Sequence, residues 1–160
     1  MKELVACAEK VAKVLVDRKQ TIAIAESSTG GLVSAALLAV PGASAYFLGG
    51  AVVYTRLSRS VLLDVPDAAL EGMRPSTEPY ALLMARTAQK NFSSTWALAE
   101  TGATGPAGNR YGDAAGHSCI AIAGPAEGSM TLETGVADRQ ENMQAFTVAA
   151  LTFLLKTIPR

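Results

Sequence analysis

The chain has 160 residues, 49% of them apolar and 18% charged, and its formal net charge is zero. This length and apolar content fit one domain with a buried core, so we predict a single domain over residues 1–160. The neutral charge excludes the strongly basic footprint of a dedicated nucleic-acid-binding protein. The two cysteines, Cys7 and Cys119, lack CxxC spacing and predict neither a disulfide framework nor a zinc site.

Apolar segments in the sequence are short and interrupted. Glu9, Lys10 and Lys13 break up the apolar positions near the N-terminus, unlike the continuous apolar run of a signal peptide. No stretch reaches the roughly 18 uninterrupted apolar residues of a membrane span. We therefore expect a cytoplasmic protein with no membrane partner. The neutral, alanine-rich composition also favours burial of part of the surface in a homo-oligomer.

The first elements alternate between helix and strand. Residues 2–18 carry apolar side chains at the i, i+4, i+7 and i+11 positions of an amphipathic helix. The short β-rich run 21–25 predicts a buried strand, and the helix that follows over 32–40 ends at Pro41. Aromatic and β-branched residues over 46–54 predict the second strand.

The later elements continue this alternation and then form a hairpin. They are a short helix over 56–63, an irregular segment over 66–75, a helix over 77–91, a strand over 95–100 and a glycine-rich loop over 101–116. Two further strands, 118–123 and 129–136, flank a Gly-Pro turn and precede a last helix over 138–157.

This order of elements predicts the fold class. Strands that alternate with helices favour parallel pairing with helices on both faces of the sheet. The late hairpin adds an antiparallel strand. We predict a three-layer α/β/α sandwich with a mixed, mostly parallel five-stranded sheet.

A turn of small residues between the first strand and the next helix is the first candidate site. It contains Glu26, Ser27, Ser28, Thr29, Gly30 and Gly31. Ligands of open α/β sheets bind beyond the carboxyl ends of strands, where a helix N-terminus offers N–H groups to an anion. One hydroxyl could act as a nucleophile while N–H groups hold a phosphate or an oxyanion. The alternative is ordinary helix capping by serine or threonine.

Two other strand ends carry candidate residues. Tyr54 and Arg59 follow the second strand and can face the same crevice, although a half-buried tyrosine and a solvated arginine are the alternative. The third strand leads into Glu100 to Pro106, whose small residues can wrap a ribose or phosphate or form a plain connection. His117, the only histidine, is either a proton-transfer group or a structural residue.

These segments together resemble the C-terminal domain of the CinA family, the competence/damage-inducible family. Typical members carry A-E-S-C-T-G-G where this chain has Ala25 to Gly31, and V-P-G-S-S-A-x-F-x-G-G where it has Val40 to Gly50. The segment Thr101 to Pro106 is similar to the family's S/T-G-I-A-G-P. The order and spacing of these segments agree over nearly the whole chain. Because this leaves no room for the larger N-terminal domain of full-length members, we expect a stand-alone form.

The resemblance implies an amidohydrolase that converts nicotinamide mononucleotide into nicotinate mononucleotide and ammonia, without a metal or redox cofactor. It implies Ser27 as the nucleophile, Tyr54 as a second catalytic residue and Arg59 at the position of a catalytic lysine. The substrate-binding residues would be Glu26, Ser28, Thr29, Gly30, Gly31, Gly49, Thr101, Gly102, Ala103 and Gly105.

The chain departs from the family pattern at Arg59, because Tyr54-Thr55-Arg56-Leu57-Ser58-Arg59 replaces Y-S-N-E-A-K. A desolvated lysine can accept a proton from serine, whereas a guanidinium, with a pKa above about 12, stays charged. Another base is then required, and His117 is a candidate if the long loop brings it within about 3 Å of Ser27. The family's K-P-V-G-T-V is also replaced, by the segment 114–119.

Three functions therefore stay open. The first is hydrolysis of a pyridine nucleotide by Ser27, with the N–H groups near Thr29 to Gly31 stabilising the oxyanion and Tyr54 orienting the substrate or relaying a proton. The second is a nucleotide-binding homologue that has lost its base at Arg59. The third is an oligomeric interaction protein that retains only the fold.

Overall fold

One five-stranded sheet forms the centre of the computed structural model, which describes residues 1–159. The strands are β1 (Ile22–Glu26), β2 (Phe47–Val52), β3 (Trp96–Ala103), β4 (His117–Ala123) and β5 (Gly128–Glu133). The helices are α1 (Lys2–Asp17), α2 (Leu32–Leu38), α3 (Arg56–Leu63), α4 (Glu78–Phe92) and α5 (Arg139–Thr157), and short 3-10 turns occupy Ala43–Ala45 and Asp67–Leu70. Within residues 1–159 no helix has the length and apolar character needed to cross a membrane.

The sheet has the order β2-β1-β3-β4-β5. β1 is parallel to β2 and to β3, whereas β4 is antiparallel to both β3 and β5. Four strands therefore run in one direction and β4 alone runs in the other. This confirms the predicted mixed, mostly parallel sheet between two layers of helices.

The two faces of the sheet carry side chains of very different size, because successive strand residues point to opposite faces. One face holds large residues, Ile22, Ile24, Trp96, Leu98, Ile120 and Ile122, packed under α1, α2 and α5. The opposite face holds mainly alanines, Ala23, Ala25, Ala97, Ala99, Ala121 and Ala123, packed under α4. α4 presents small residues in return, including Ala81, Ala85 and Ala88. Because alanines form both the sheet face and the facing side of α4, the helix packs close to the strands.

The third strand is longer than the sequence predicts. β3 continues to Ala103 because β4 pairs with it as far as His117, opposite Ala103. Thr101, Gly102 and Ala103 are therefore strand residues and not part of the predicted loop, which begins at Thr104. Cross-strand pairing with β4, which local composition does not report, is the physical reason for this correction.

Enlarging a residue of the alanine face should destabilise the protein. Ala121 is buried and pairs with Ala99 under α4, so Ala121→Leu forces extra volume between helix and sheet. We expect the free energy of unfolding to fall by about 1–3 kcal/mol, measured by urea denaturation. Ala68→Leu, at an exposed position, is the matched control and should change it by less than about 0.5 kcal/mol. Equal effects of the two changes would contradict the tight packing described above.

Candidate functional site

Two buried glutamates stand side by side, Glu26 at the end of β1 and Glu100 within β3, where the pairing of β3 with β1 stops. Ala25 pairs with Ala99 in the parallel register, so the next residues, Glu26 and Glu100, are neighbours. Glu26 is 0% exposed and Glu100 is 2% exposed. Burying a carboxylate is unfavourable unless hydrogen-bond donors replace its water. The turn after β1 supplies most of these donors.

Glu26 holds the start of α2. One carboxylate oxygen accepts hydrogen bonds from the N–H groups of Gly31 (3.0 Å) and Val33 (3.1 Å) and from Thr29 Oγ1 (2.6 Å). The other accepts from Ser34 N (3.0 Å) and Ser34 Oγ (2.7 Å). The N–H groups at the start of a helix lack intrahelical partners, and a negative charge there is stabilising. Glu26 therefore caps α2 from inside the protein.

Glu100 holds the turn itself. Its Oε2 accepts hydrogen bonds from Ser27 N (3.2 Å), Thr29 N (3.0 Å) and Thr29 Oγ1 (3.0 Å). Its Oε1 accepts from the hydroxyls of Ser28 and Ser118, the latter at 3.2 Å. Burial raises the pKa of Glu100, and the hydrogen bonds from Ser28 and the turn offset part of that rise.

The backbone N–H groups predicted to face a ligand have partners within the chain. Thr29 N donates to Glu100, Gly31 N donates to Glu26, and Gly30 N donates to the carbonyl of Ser27 at 3.0 Å. These groups stabilise the turn and do not point at a phosphate or oxyanion as the sequence suggests. For Thr29 N and Gly31 N, the reason for this correction is the presence of two buried carboxylates, which are stronger acceptors than water or a neutral carbonyl.

A cavity of about 520 Å³ lies beyond the carboxyl ends of β1 and β2 and beside the last residues of β3. This volume is in the range of small-molecule sites. The cavity brings together the three residues predicted to be catalytic, Ser27, Tyr54 and Arg59. Thr101 and Gly102 also line it, as do Ser76, Tyr80, Asn109, Arg110 and Tyr111. Ser27 contributes only its N–H to the Glu100 network, so its side chain takes no part in holding the turn.

Several residues predicted to bind substrate lie outside this cavity and contribute to packing. A side chain at Gly49 would collide with the ring of Phe92, and one at Gly30 would press on Met143. At Gly105 it would meet the backbone of Ala137. Glu26, Ser28, Thr29, Gly31 and Ala103 are also outside the lining. Their small size or hydrogen bonds shape the turn and the strands that carry Ser27.

Arg59 is buried and its guanidinium is fixed in place. Only 3% of the residue is exposed, and its Nη2 forms an ion pair with Asp67 Oδ1 at 2.7 Å. Its Nη1 donates to Tyr80 Oη at 3.4 Å, and the guanidinium carbon lies 5.9 Å from the centre of the Tyr80 ring. Hydrogen bonds from Arg56 and Arg59 hold the pKa of Asp67 below its usual value. Arg59 is therefore a permanent positive charge at the cavity.

Tyr54 is 59% exposed at the rim of the cavity. Its phenol oxygen accepts a hydrogen bond of 3.2 Å from Nη2 of Arg139, the first residue of α5. Arg139 Nη1 also donates to the carbonyl of Gly105 at 2.7 Å. Arg139 thus links Tyr54 to the loop after β3 and leaves the phenol proton free to be donated.

His117 is not a base for Ser27, which corrects one hypothesis from the sequence. Its Nδ1 is bonded to the carboxylate of Glu133 and its Nε2 to the carbonyl of Ser76 at 2.9 Å. Both partners are acceptors, so both ring nitrogens must carry hydrogen, as in imidazolium. Burial alone lowers the pKa of His117, but these hydrogen bonds and the charges of Asp113 and Glu133 outweigh it and raise the pKa. The residue does not line the cavity.

Comparison with known proteins supports the resemblance seen in the motifs. The sequence model of one family, described as the CinA C-terminal domain, matches residues 4–158. A CinA-like protein of Chlorobium limicola is 38% identical over 148 residues, which cover 89% of this chain and 34% of that protein. A CinA-like protein of Desulforapulum autotrophicum is 37% identical, covering 92% of this chain and 35% of that protein. The chain thus spans about a third of the length of these curated relatives.

Solved structures of similar proteins share the fold. The competence/damage inducible protein CihA from Agrobacterium tumefaciens superposes with a TM-score of 0.90 at 26% identity, covering 98% of this chain and 96% of that one. The competence or damage-inducible protein from Enterobacter asburiae gives a TM-score of 0.89 at 26% identity, covering 98% of each chain.

The charge on His117 predicts a pH-dependent contribution to stability. Because its pKa is raised on folding, the contribution is complete below the unfolded value of about 6.5 and is lost as the pH rises through the folded pKa. We expect His117→Gln to lower Tm more at about pH 5.5 than at about pH 8.5. Thermal unfolding of the wild type and of His117→Gln over this pH range measures the difference between their Tm values. Other groups that titrate in the same way in both proteins do not contribute to this difference. A difference in Tm that stays constant with pH would contradict a charged His117.

Proposed function

Because the chain belongs to the CinA C-terminal domain family, we propose that it is an amidohydrolase acting on nicotinamide mononucleotide, with Ser27 as nucleophile. The observation that carries this proposal is the convergence of Ser27, Tyr54 and Arg59 on one cavity. In the reaction, Ser27 Oγ bonds to the carboxamide carbon and the amide nitrogen leaves as ammonia. Water then cleaves the ester and releases nicotinate mononucleotide.

Proton transfer in this mechanism falls to Tyr54. Arg59 cannot accept a proton, because its guanidinium is permanently charged and is paired with Asp67. The phenol of Tyr54 can receive the proton of Ser27 while it gives its own to the leaving nitrogen, so no ionised intermediate of the tyrosine is needed. The hydrogen bond from Arg139 fixes the phenol oxygen for this transfer.

Arg59 supplies charge in place of the missing base. A tetrahedral intermediate carries a negative oxygen, and a fixed cation at the cavity can stabilise it. This role falls to Arg59 because the N–H groups of Thr29, Gly30 and Gly31 are already bonded within the chain.

The positive rim of the cavity suits a ligand that carries a phosphate. Arg110 lines the cavity and has no acidic partner within residues 1–159. Its guanidinium donates to Tyr111 Oη at 3.0 Å and stacks 5.2 Å from the ring centre, which fixes its direction. A phosphate is a preferred partner for such a group.

A second candidate function is nucleotide binding without turnover. The observation that favours it is the ion pair of the buried Arg59 with the exposed Asp67, which places a charge where a neutral amine would activate Ser27. In this alternative the cavity, Arg110 and Tyr54 are retained for binding. Hydrolysis is slow because the described residues that line the cavity include no carboxylate, imidazole or amine that could accept the proton of Ser27.

Ammonia release from nicotinamide mononucleotide tests the first candidate. We expect release by the wild type and a loss of about 1,000-fold or more in Ser27→Ala, because the nucleophile is removed. Ser28→Ala is a matched hydroxyl deletion at the adjacent position, and it should retain much more activity than Ser27→Ala. Wild-type rates in Ser27→Ala would refute the mechanism.

The variant Arg59→Lys tests whether the reaction is limited by the lack of a base at this position. General-base catalysis contributes roughly 10²–10⁴ in rate, so Arg59→Lys should increase ammonia release. Because Asp67 favours the charged amine, the double variant Arg59→Lys/Asp67→Asn should gain more than the single variant. A silent wild type that binds the nucleotide by calorimetry, together with an active lysine variant, would establish the second candidate. Absence of binding at millimolar nucleotide would remove both.

A further inference from the structure

The hydroxyl next to the proposed nucleophile is directed away from the cavity. Ser28 is 4% exposed and donates its hydroxyl hydrogen to Glu100, on the neighbouring strand and 72 positions along the chain. Ser28 also stands where the family motif has cysteine, a much weaker donor. The polar pair Ser28–Glu100 is thus a feature of this chain that the proposed chemistry does not use.

Glu100 contacts every residue of the turn from Ser27 to Thr29. It accepts the N–H groups of Ser27 and Thr29 and the hydroxyls of Ser28 and Thr29. Fixing the two N–H groups on either side of Ser28 fixes the backbone from which the Ser27 side chain projects. A buried carboxylate with these donors is an anchor for that direction.

The two glutamates hold separate parts of the segment. Glu26 binds the N–H groups of Gly31, Val33 and Ser34, which belong to the start of α2. Glu100 binds the N–H groups of the turn before the helix. Only the hydroxyl of Thr29 contacts both, at 2.6 Å from Glu26 and 3.0 Å from Glu100, and its single hydrogen is shared between them. Loss of Glu100 should therefore release the turn while the helix remains capped.

We propose that Glu100 is a positioning residue for Ser27, which it aims into the cavity through the Ser27 and Thr29 amides and the Ser28 hydroxyl. This inference rests on the proposed role of Ser27 as nucleophile. The carboxylate matters because the Ser27 and Thr29 amides can only donate, and the Ser28 hydroxyl also donates to it. A glutamine keeps only one oxygen and is a neutral, weaker acceptor, so it holds the turn less firmly in either orientation of its amide.

The test combines steady-state kinetics with hydrogen exchange. In Glu100→Gln we expect kcat for ammonia release to fall roughly 10- to 100-fold, since small displacements of a reacting group have effects of this size. KM should change less than about threefold, because Glu100 does not touch the ligand cavity. Ser28→Ala removes one donor only and should give a smaller fall of the same kind, which keeps the test valid if Glu100→Gln does not fold. A kcat within twofold of the wild type in both variants would overturn the proposal.

Leu98→Val is the control for a purely structural effect. Leu98 lies two residues earlier on the same face of β3, is fully buried and belongs to the core. Its shortening should lower Tm and leave kcat unchanged. If Leu98→Val lowers kcat as much as Glu100→Gln at a similar loss of Tm, Glu100 has no specific positioning role.

Hydrogen exchange separates failure of this proposal from failure of the proposed function. If no variant releases ammonia, the amides still report on the turn. Glu100→Gln should speed exchange at Ser27 and Thr29 by tenfold or more, while Gly31 and Val33 keep their wild-type rates because Glu26 holds them. Unchanged exchange at Ser27 and Thr29, or equal acceleration at all four, would overturn the proposal independently of any activity.

Discussion

The structure depends on the burial of two neighbouring carboxyl groups, one at the end of β1 and one within the adjacent parallel strand β3. Glu26 and Glu100 are neighbours in the interior, and their hydrogen bonds come from backbone amides and hydroxyls, with no lysine or arginine of residues 1–159 among the donors. Desolvation of each charge is unfavourable by several kcal/mol in general, so the donors must be complete. The small residues of the turn let its backbone approach closely enough to provide them. The position of Ser27 follows from these hydrogen bonds, which offset the desolvation of the two carboxyl groups.

Electrostatics differ sharply between the two sides of the turn. Behind it, two buried carboxyl groups accept hydrogen bonds from neutral donors. In front of it, Arg56, Arg59 and Arg110 line the cavity, and the first two share the single carboxylate of Asp67. A ligand that enters the cavity therefore meets a positive field, while the residues that hold Ser27 stay shielded from that ligand. A lysine at position 59 could switch between charged and neutral forms, whereas Arg59 is a constant charge.

Most of the fold follows from local sequence patterns, and the site follows only in part. The strands and helices were predictable because each has a clear hydrophobic period or breaker, and α3 matches its predicted range. The expectation that ligands bind beyond the carboxyl ends of strands correctly predicted that Ser27, Tyr54 and Arg59 face one cavity. It could not give Glu100 its role, because that depends on the register of β1 against β3. Arg139 and Tyr80 were missed for the same reason: their partners lie 85 and 21 positions away along the chain. Of the two roles left open for His117, the structure favours the structural one, because Glu133 and the carbonyl of Ser76 occupy its ring nitrogens.

The alanine face of the sheet has a bearing on which ligands fit. Tyr80 lines the cavity from the first turn of α4, and α4 rests on alanines of β1, β3 and β4. A helix moves as a nearly rigid rod, so the thickness of this alanine layer sets how far Tyr80 stands from Arg59 and Ser27. Residues that never meet the ligand thus determine the width of its binding site. Divergence at Ala97, Ala99 or Ala121 would alter substrate size preference without any change among the residues that line the cavity.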